Sequence, residues 1–333
     1  MTSSDAGPNH RSGARSAAGT RTRPRPARGV ADSDDATGSH PRYAMMDDVP
    51  VTPPPTEAPV VGSAAALATA PAVSLRGAAL SFGSRILWAG LDLDVAAGEF
   101  VVVLGPNGAG KTSLLKVLLG QQPLSAGTAE INGRPVRTGS SRIGYIPQQR
   151  AFDPGLPVRA RDLVGLGIDG HRWGFGLPSR SRSRAIDAAL ASVGASAFAD
   201  APVGLLSGGE QQRLRIAQAL ITDPHVLLCD EPLLSLDLTH QQAVSDLIDR
   251  RRTESQTAVV FVTHEINPVL RMVDRVIYLV DGKFRIGTPD EVMTTAVLSE
   301  LYGSHIEVLR AEGRIIVLGT DSHVHHHDEN GTH

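Results

Sequence analysis

The run Phe100-Val-Val-Val-Leu104 leads directly into Gly105-Pro-Asn-Gly-Ala-Gly-Lys-Thr112, and this join decides the fold. An unbroken apolar run of that length reads as a strand buried on both faces, as in a parallel sheet. After the loop the apolar spacing turns helical, over Lys111 to Leu119. The loop fits G-x-x-x-x-G-K-[ST] at every required position and sits between the strand and helix that the motif needs. Gly105, Gly108 and Gly110 admit backbone conformations closed to residues with a Cβ. With Pro106, Asn107 and Ala109 they aim backbone N–H groups at phosphates, at the positive end of the helix dipole. This chemistry assigns the β- and γ-phosphates to Lys111 and a Mg2+ ion to the Thr112 hydroxyl. ATP and Mg2+ are the expected ligands; the plainer alternative is a glycine-rich turn that binds nothing.

Working outward, Ala72 to Phe82 and Leu91 to Val95 alternate apolar and polar residues, the pattern of half-buried strands. Val226 to Cys229 and Val259 to Val262 are further buried strand candidates, and strand-like and helical segments alternate to about Gly282. That alternation predicts an α/β fold with a mainly parallel core sheet. Val276–Val280 and Lys283–Gly287 flank Asp281-Gly282 and read as a hairpin. A closing helix is expected over Pro289 to Leu301. A last hairpin is expected over Ile306–Leu309 and Arg314–Leu318, around Glu312-Gly313.

The segment His225-Val-Leu-Leu-Cys-Asp230-Glu231-Pro232 is an apolar strand ending in two acids. Carboxylates at the carboxyl end of a central parallel strand lie where such sheets bind ligands. Asp230 is placed to hold the Mg2+ shell. Alternation along the strand sends Glu231 to the other side, where it can act on the attacking water as a general base. Alone, the pair could simply cap the next segment. Cys229 reads as a small core residue rather than a nucleophile.

Leu206-Ser-Gly-Gly-Glu-Gln-Gln-Arg213 is a second phosphate-suited helix start in a chain with one ATP loop: Ser207 is a good N-cap, Gly208 and Gly209 expose N–H groups, and a helix is expected from near Glu210. Here the chain resembles the ATPase subunits of ABC transporters, whose signature is this run. The resemblance covers about Val73 to Tyr302. It implies an ATPase of ABC type with an antiparallel β subdomain and an inserted helical subdomain at about 149–222. It also implies a head-to-tail homodimer in which Ser207 to Glu210 of one subunit close on the ATP of the other. Further matches follow in family order. Phe82 corresponds to the aromatic that stacks on adenine, and its alternative is a core strand residue. Gln148, in Tyr145-Ile-Pro-Gln-Gln, corresponds to the glutamine that touches Mg2+ and the attacking water, with Gln149 the alternative in a shifted register. Asp237, in Ser235-Leu-Asp237, lies on the loop that crosses the dimer interface. His264, in Val262-Thr-His-Glu, corresponds to the switch histidine on the γ-phosphate.

Three stretches look similar to the zinc and manganese uptake branch: His264-Glu-Ile-Asn-Pro-Val-Leu270, Tyr278 to Gly287, and Val292 to Ile306. They imply import of a divalent metal through an integral membrane permease, fed by an extracytoplasmic metal-binding protein. The C-terminal histidines 323, 325, 326, 327 and 333 could hold zinc weakly with Asp321, Asp328 and Glu329, or form a plain polar tail over 320–333. Residues 1–71 are rich in Ala, Ser, Arg, Pro, Asp and Gly and are expected to stay disordered. Arg21, Arg23, Arg25 and Arg28 form a basic patch there, suited to anionic lipid or nucleic acid or simply solvated; a start at Met45 or Met46 is a further alternative. The ATPase domain is expected over 72–319.

The 333 residues are 41% hydrophobic and 4% aromatic, with formal net charge −3, which argues against a nucleic-acid partner. Cys229 is the single cysteine, so no internal disulfide forms and a reducing cytosolic setting fits. No stretch approaches the roughly 20 apolar residues of a spanning helix. The chain is therefore expected to be soluble or peripherally held, and the resemblance implies a peripheral place on the cytoplasmic face of the cell membrane. Two other functions stay open on sequence: an ABC ATPase of DNA repair or ribosomes, and a metal-binding regulator whose cassette only switches.

Overall fold

The computed structural model describes residues 70–148, 152–169, 179–234 and 236–319. Both hairpin strands β1 (Val73–Phe82) and β2 (Arg85–Val95) bury alternate residues, as their sequence pattern requires. β3 (Phe100–Leu104) is buried throughout and passes through the glycine-rich loop into α1 (Lys111–Leu118). Then come β4 (Ala126–Ile131), β5 (Arg134–Pro135) and β6 (Ile143–Ile146), followed by helices α2 (Ala160–Asp169), α3 (Arg180–Ser192) and α4 (Gly208–Leu220). β7 (Val226–Asp230), α5 (Leu238–Ser255), β8 (Ala258–Val262), β9 (Arg275–Val280) and β10 (Lys283–Gly287) complete the core. The chain then forms α6 (Pro289–Val292), α7 (Thr295–Tyr302) and a hairpin of β11 (Ile306–Ala311) and β12 (Arg314–Gly319).

The core sheet runs β10-β9-β3-β8-β7-β6. β9, β3, β8, β7 and β6 pair in parallel, and β10 closes one edge antiparallel to β9. A separate antiparallel sheet runs β2-β1-β4-β5. β3 divides the interior between two clusters. Phe100, Val102 and Leu104 face the one that includes Leu214 and Ile216 of α4, and Phe100 meets Phe261 at a centroid distance of 5.5 Å. Val101 and Val103 face the other, with Leu114 and Leu118 of α1 and the inner residues of β1 and β2. Each buried leucine, valine or isoleucine contributes roughly 1.5–3 kcal/mol against exposure, so a core poor in aromatics still closes.

The α/β fold with its β subdomain and inserted helices is as expected. Asp281-Gly282 and Glu312-Gly313 both turn with positive φ at both positions, the geometry that lets a two-residue turn match strand twist. Asn132-Gly133 does the same between β4 and β5, strands that periodicity had not singled out. Two expectations need correction. The closing helix is broken: Met293 leaves helical geometry, and the Thr294 hydroxyl caps a new helix by accepting from the Val297 N–H at 3.3 Å. The signature helix starts at Gly208, not near Glu210, because the Ser207 cap lies directly before it. Apart from Ala70 and Pro71, the N-terminal arm lies outside the described residues. So do Gln149, Ser235 and the histidines of the tail.

Candidate active site

The loop after β3 is forced into shape by its glycines. Gly105 has φ 138°, and a Cβ there would lie 2.0 Å from the Leu279 carbonyl oxygen on β9, so no other residue fits. Gly110, the residue before α1, has φ 96° and faces the buried Trp88 indole. Lys111 is only 6% exposed, and its ammonium donates to the carbonyls of Gly105 (2.8 Å) and Pro106 (3.0 Å). Burial pushes its pKa down, opposed by the charges of Glu231 and Asp230.

Asp230 ends β7 and is buried. Its Oδ1 accepts from the Thr112 hydroxyl at 3.1 Å and its Oδ2 from the Tyr145 hydroxyl at 3.5 Å. Burial raises its pKa, the Thr112 bond lowers it, and the Glu231 charge raises it again. Tyr145 in turn is pushed up to about 12, first by burial and then by the Asp230 charge. Thr112, Asp230 and the exposed Gln148 offer only hard oxygen donors beside the phosphate loop, a set that suits Mg2+. Cys229 is fully buried, and burial pushes its thiol pKa up, away from nucleophilic use.

Glu231 reaches its position by a different route from strand alternation. β7 stops at Asp230, and Glu231 adopts a left-handed backbone with φ 47° while its N–H donates to the Val262 carbonyl at 2.9 Å. A left-handed non-glycine residue costs on the order of 1–3 kcal/mol, and such strain collects at functional sites. The side chain then faces a cavity of about 860 Å³ shared with Phe82, Lys111, Thr112, Gln148 and His264. His264 Nδ1 lies 3.8 Å from Glu231 Oε2. Phe82 is half exposed at the cavity rim rather than in the core. Arg85, which the sequence did not flag, lines the same cavity and donates to the Gly108 carbonyl at 3.0 Å. Its only signal is its place just beyond Phe82 on the hairpin. Tyr145 was legible only as a neighbour of Gln148, since its bond to Asp230 needs β6 beside β7.

None of Ser207, Gly208, Gly209, Glu210 or Asp237 lines that cavity. Ser207 and Glu210 form a reciprocal capping box: the Ser207 hydroxyl oxygen accepts from the Glu210 N–H at 3.3 Å, and the Glu210 carboxylate accepts from the Ser207 N–H at 2.8 Å. The Ser207 hydroxyl also donates to that carboxylate, and these bonds hold the Glu210 pKa below its ordinary value. Asp237 caps α5, accepting from the His240 N–H at 2.9 Å, with the His240 ring Nδ1 2.7 Å from its other oxygen. Those bonds lower the Asp237 pKa.

The ABC transporter family profile matches residues 88–234. The zinc import ATP-binding protein ZnuC of Photorhabdus laumondii is 35% identical over 70% of this chain and 84% of its own length. The chain belongs to the ABC transporter ATP-binding family. As a member it binds and hydrolyses ATP and works with membrane-embedded permease subunits. The hemin import ATP-binding protein HmuV of Streptomyces coelicolor is 34% identical over 79% of this chain and 91% of that protein. Among solved structures, a chain described as part of a metal-chelate type ABC transporter in an inward-facing conformation aligns with TM-score 0.63 and 26% identity, covering 74% of this chain and 95% of that one. ABC proteins for aliphatic sulfonates and iron(3+)-hydroxamate are also similar, so the family is shared more widely than any one cargo.

Proposed function

We propose that two copies of this chain bind two ATP molecules between them and power import of a divalent metal ion, zinc or manganese, through a separate permease served by an extracytoplasmic metal-binding protein. The observation that carries the dimer is a separation: Ser207 and Gly208, which open a capped helix N-terminus, stand exposed outside the cavity that holds Lys111 and Glu231. A second copy supplies such an N-terminus to the open side of each nucleotide. In this arrangement Phe82 stacks on adenine, the loop from Gly105 to Thr112 binds the phosphates, and Lys111 leaves its own carbonyls for the γ-phosphate. Thr112, Asp230 and Gln148 would hold Mg2+, which neutralises charge on the β- and γ-phosphates when bound. Glu231 accepts a proton from the attacking water, and His264 orients the γ-phosphate beside it. Asp237 lies on the loop that crosses between subunits. Residues 72–319 form the ATPase domain, with the arm before it and the histidine-bearing tail after it. Among the described residues no helix is long and apolar enough to cross a membrane, which supports a peripheral place on the cytoplasmic face, attached through the permease.

Metal import is favoured by the similarity to zinc import proteins from several bacteria, and to the zinc transport protein TroB of Treponema pallidum at 34% identity. A second reading, import of a metal chelate, is favoured by the hemin and hydroxamate relatives and by the metal-chelate type structure. ATP-driven uptake into vesicles that carry the chain and its permease decides between them. Zinc, manganese, iron and cobalt ions are offered against an iron chelate. Accumulation of the chelate alone would replace the first reading with the second. ATPase activity stimulated by DNA or ribosomes rather than by the permease would overturn both.

A further inference from the structure

His264 is held in place through the segment that carries it. Its side chain is more than half exposed, and β8 ends just before it, at Val262. On the N-terminal side, the Thr263 hydroxyl donates to the Glu265 carbonyl (3.0 Å) and accepts from the Glu265 N–H (3.2 Å), closing a tight local turn around His264. On the C-terminal side, the segment is tied to a part of the chain remote in sequence. The Asn267 amide nitrogen donates to the Ile315 carbonyl, and the Asn267 amide oxygen accepts from the Ile315 N–H, both at 2.9 Å. The side chain thus copies the two-bond pairing of a neighbouring strand and adds itself to β12. Ile266 and Val269 are buried on either side, and Pro268 restricts the Asn267 backbone.

The terminal hairpin is itself firmly held. The Ser299 hydroxyl on α7 donates to the Ile306 carbonyl (3.1 Å) and accepts from its N–H (3.0 Å), and the Thr295 hydroxyl accepts from the Val308 N–H at 3.0 Å. Ile306 and Ile315 are core residues. Beside the Asn267 bridge a cleft of about 590 Å³ separates the His264–Asn267 segment from Ile315–Val317, with Gly105 and Pro106 of the phosphate loop among its walls. The segment therefore has room to shift, and the Asn267–Ile315 pair spans that room.

We infer that Asn267 is a positioning residue that fixes His264 against the catalytic cavity by anchoring its segment to the C-terminal hairpin, so that the hairpin helps to set the rate of ATP hydrolysis. The inference rests on the ATPase role assigned to His264 above. A paired bond of this kind, once broken, frees one end of the His264 segment without touching any group that faces ATP. The effect then falls on turnover rather than on nucleotide affinity.

The test compares the wild-type chain with Asn267→Ala, reading kcat and KM for ATP well below the thermal midpoint together with amide hydrogen exchange over 263–270 and 314–319. Coupling of this sort changes rates by roughly 2- to 30-fold, so kcat is expected to fall within that range while KM for ATP changes by less than about twofold. Exchange should quicken in both segments. Asn267→Asp keeps the acceptor for the Ile315 N–H and should fall between the two; it carries the test if the alanine variant does not fold. In a His264→Ala background the alanine change should cost nothing further in residual turnover. An unchanged kcat, a cost that persists without His264, or faster exchange confined to 314–319 would each overturn the inference. Hydrogen exchange needs no hydrolysis, so a wild-type chain that failed to turn over ATP would sink the functional reading and still leave the coupling decided.

Discussion

His264 Nδ1 lies 3.8 Å from Glu231 Oε2, joining the carboxyl ends of β8 and β7, two neighbouring parallel strands. Each residue stands just past its strand, and Glu231 is turned into the cavity by a left-handed backbone rather than by strand alternation.

Glu231→Gln keeps that shape and removes the proton acceptor. Steady-state phosphate release should fall about 10²- to 10⁴-fold, the usual worth of a general base. ATP binding should persist, and the variant should elute as an ATP-dependent dimer on gel filtration. Turnover close to wild type would remove Glu231 from its role.

Asp230 gives a pH-dependent prediction. Burial raises its folded pKa above the ordinary 3.8, so the folded chain holds this proton to higher pH than the unfolded chain does. Between the two values the folded state binds more protons, and stability falls as pH rises through that window; above it the full penalty is present. Asp230→Asn removes the charge and keeps an oxygen for the Thr112 hydroxyl. At neutral pH the variant should melt at a higher temperature than the wild type, while hydrolysis is lost. Its advantage should shrink as pH falls back through the window, as thermal melts over a pH series would show.

Phe82 is half exposed, so its loss should spare the fold. Base-on-aromatic stacking is worth about 1–3 kcal/mol, which predicts a weakening of ATP binding by roughly 5- to 150-fold in Phe82→Ala. Phe82→Tyr should bind normally. Titration with a fluorescent ATP analogue measures both, and unchanged affinity in the alanine variant would return Phe82 to a plain strand residue.

Ser207 has two separable duties. Ser207→Ala should lose the cap and about 1 kcal/mol of stability. Ser207→Asp keeps a capping oxygen but, in the proposed dimer, sets a negative charge beside the phosphates bound by the other copy. The aspartate also loses the Ser207 donor to the Glu210 carboxylate and repels it, so thermal melts should show its cap partly offset, and ATPase assays should condemn it. Wild-type turnover in Ser207→Asp would contradict the shared nucleotide site.

The residues that could be assigned from sequence are those whose chemistry is fixed locally. Gly105 to Thr112 carry their own backbone demands, Ser207 and Glu210 cap each other within one turn, and Asp281-Gly282 fixes its own hairpin. Arg85 and Tyr145 could not be found that way, since neither fits a spacing rule; each matters through a neighbour that only packing supplies, Gly108 for one and Asp230 for the other. The broken closing helix was hidden for a related reason. The apolar spacing runs on across Thr294, and whether its hydroxyl caps or faces solvent depends on where α6 and α7 pack.

By itself the sequence determined the sheet-and-helix class, the phosphate loop and the pair of acids at the end of a buried strand, because strand burial, glycine freedom and helix capping act over a few residues. Only the tertiary structure decided that Glu231 meets His264, that Asp230 holds Thr112 and Tyr145, and that Asn267 grips Ile315. Those pairs come from strand order and from loops meeting at one end of a sheet, and strand order is settled by the free energy of the whole core rather than by any one segment.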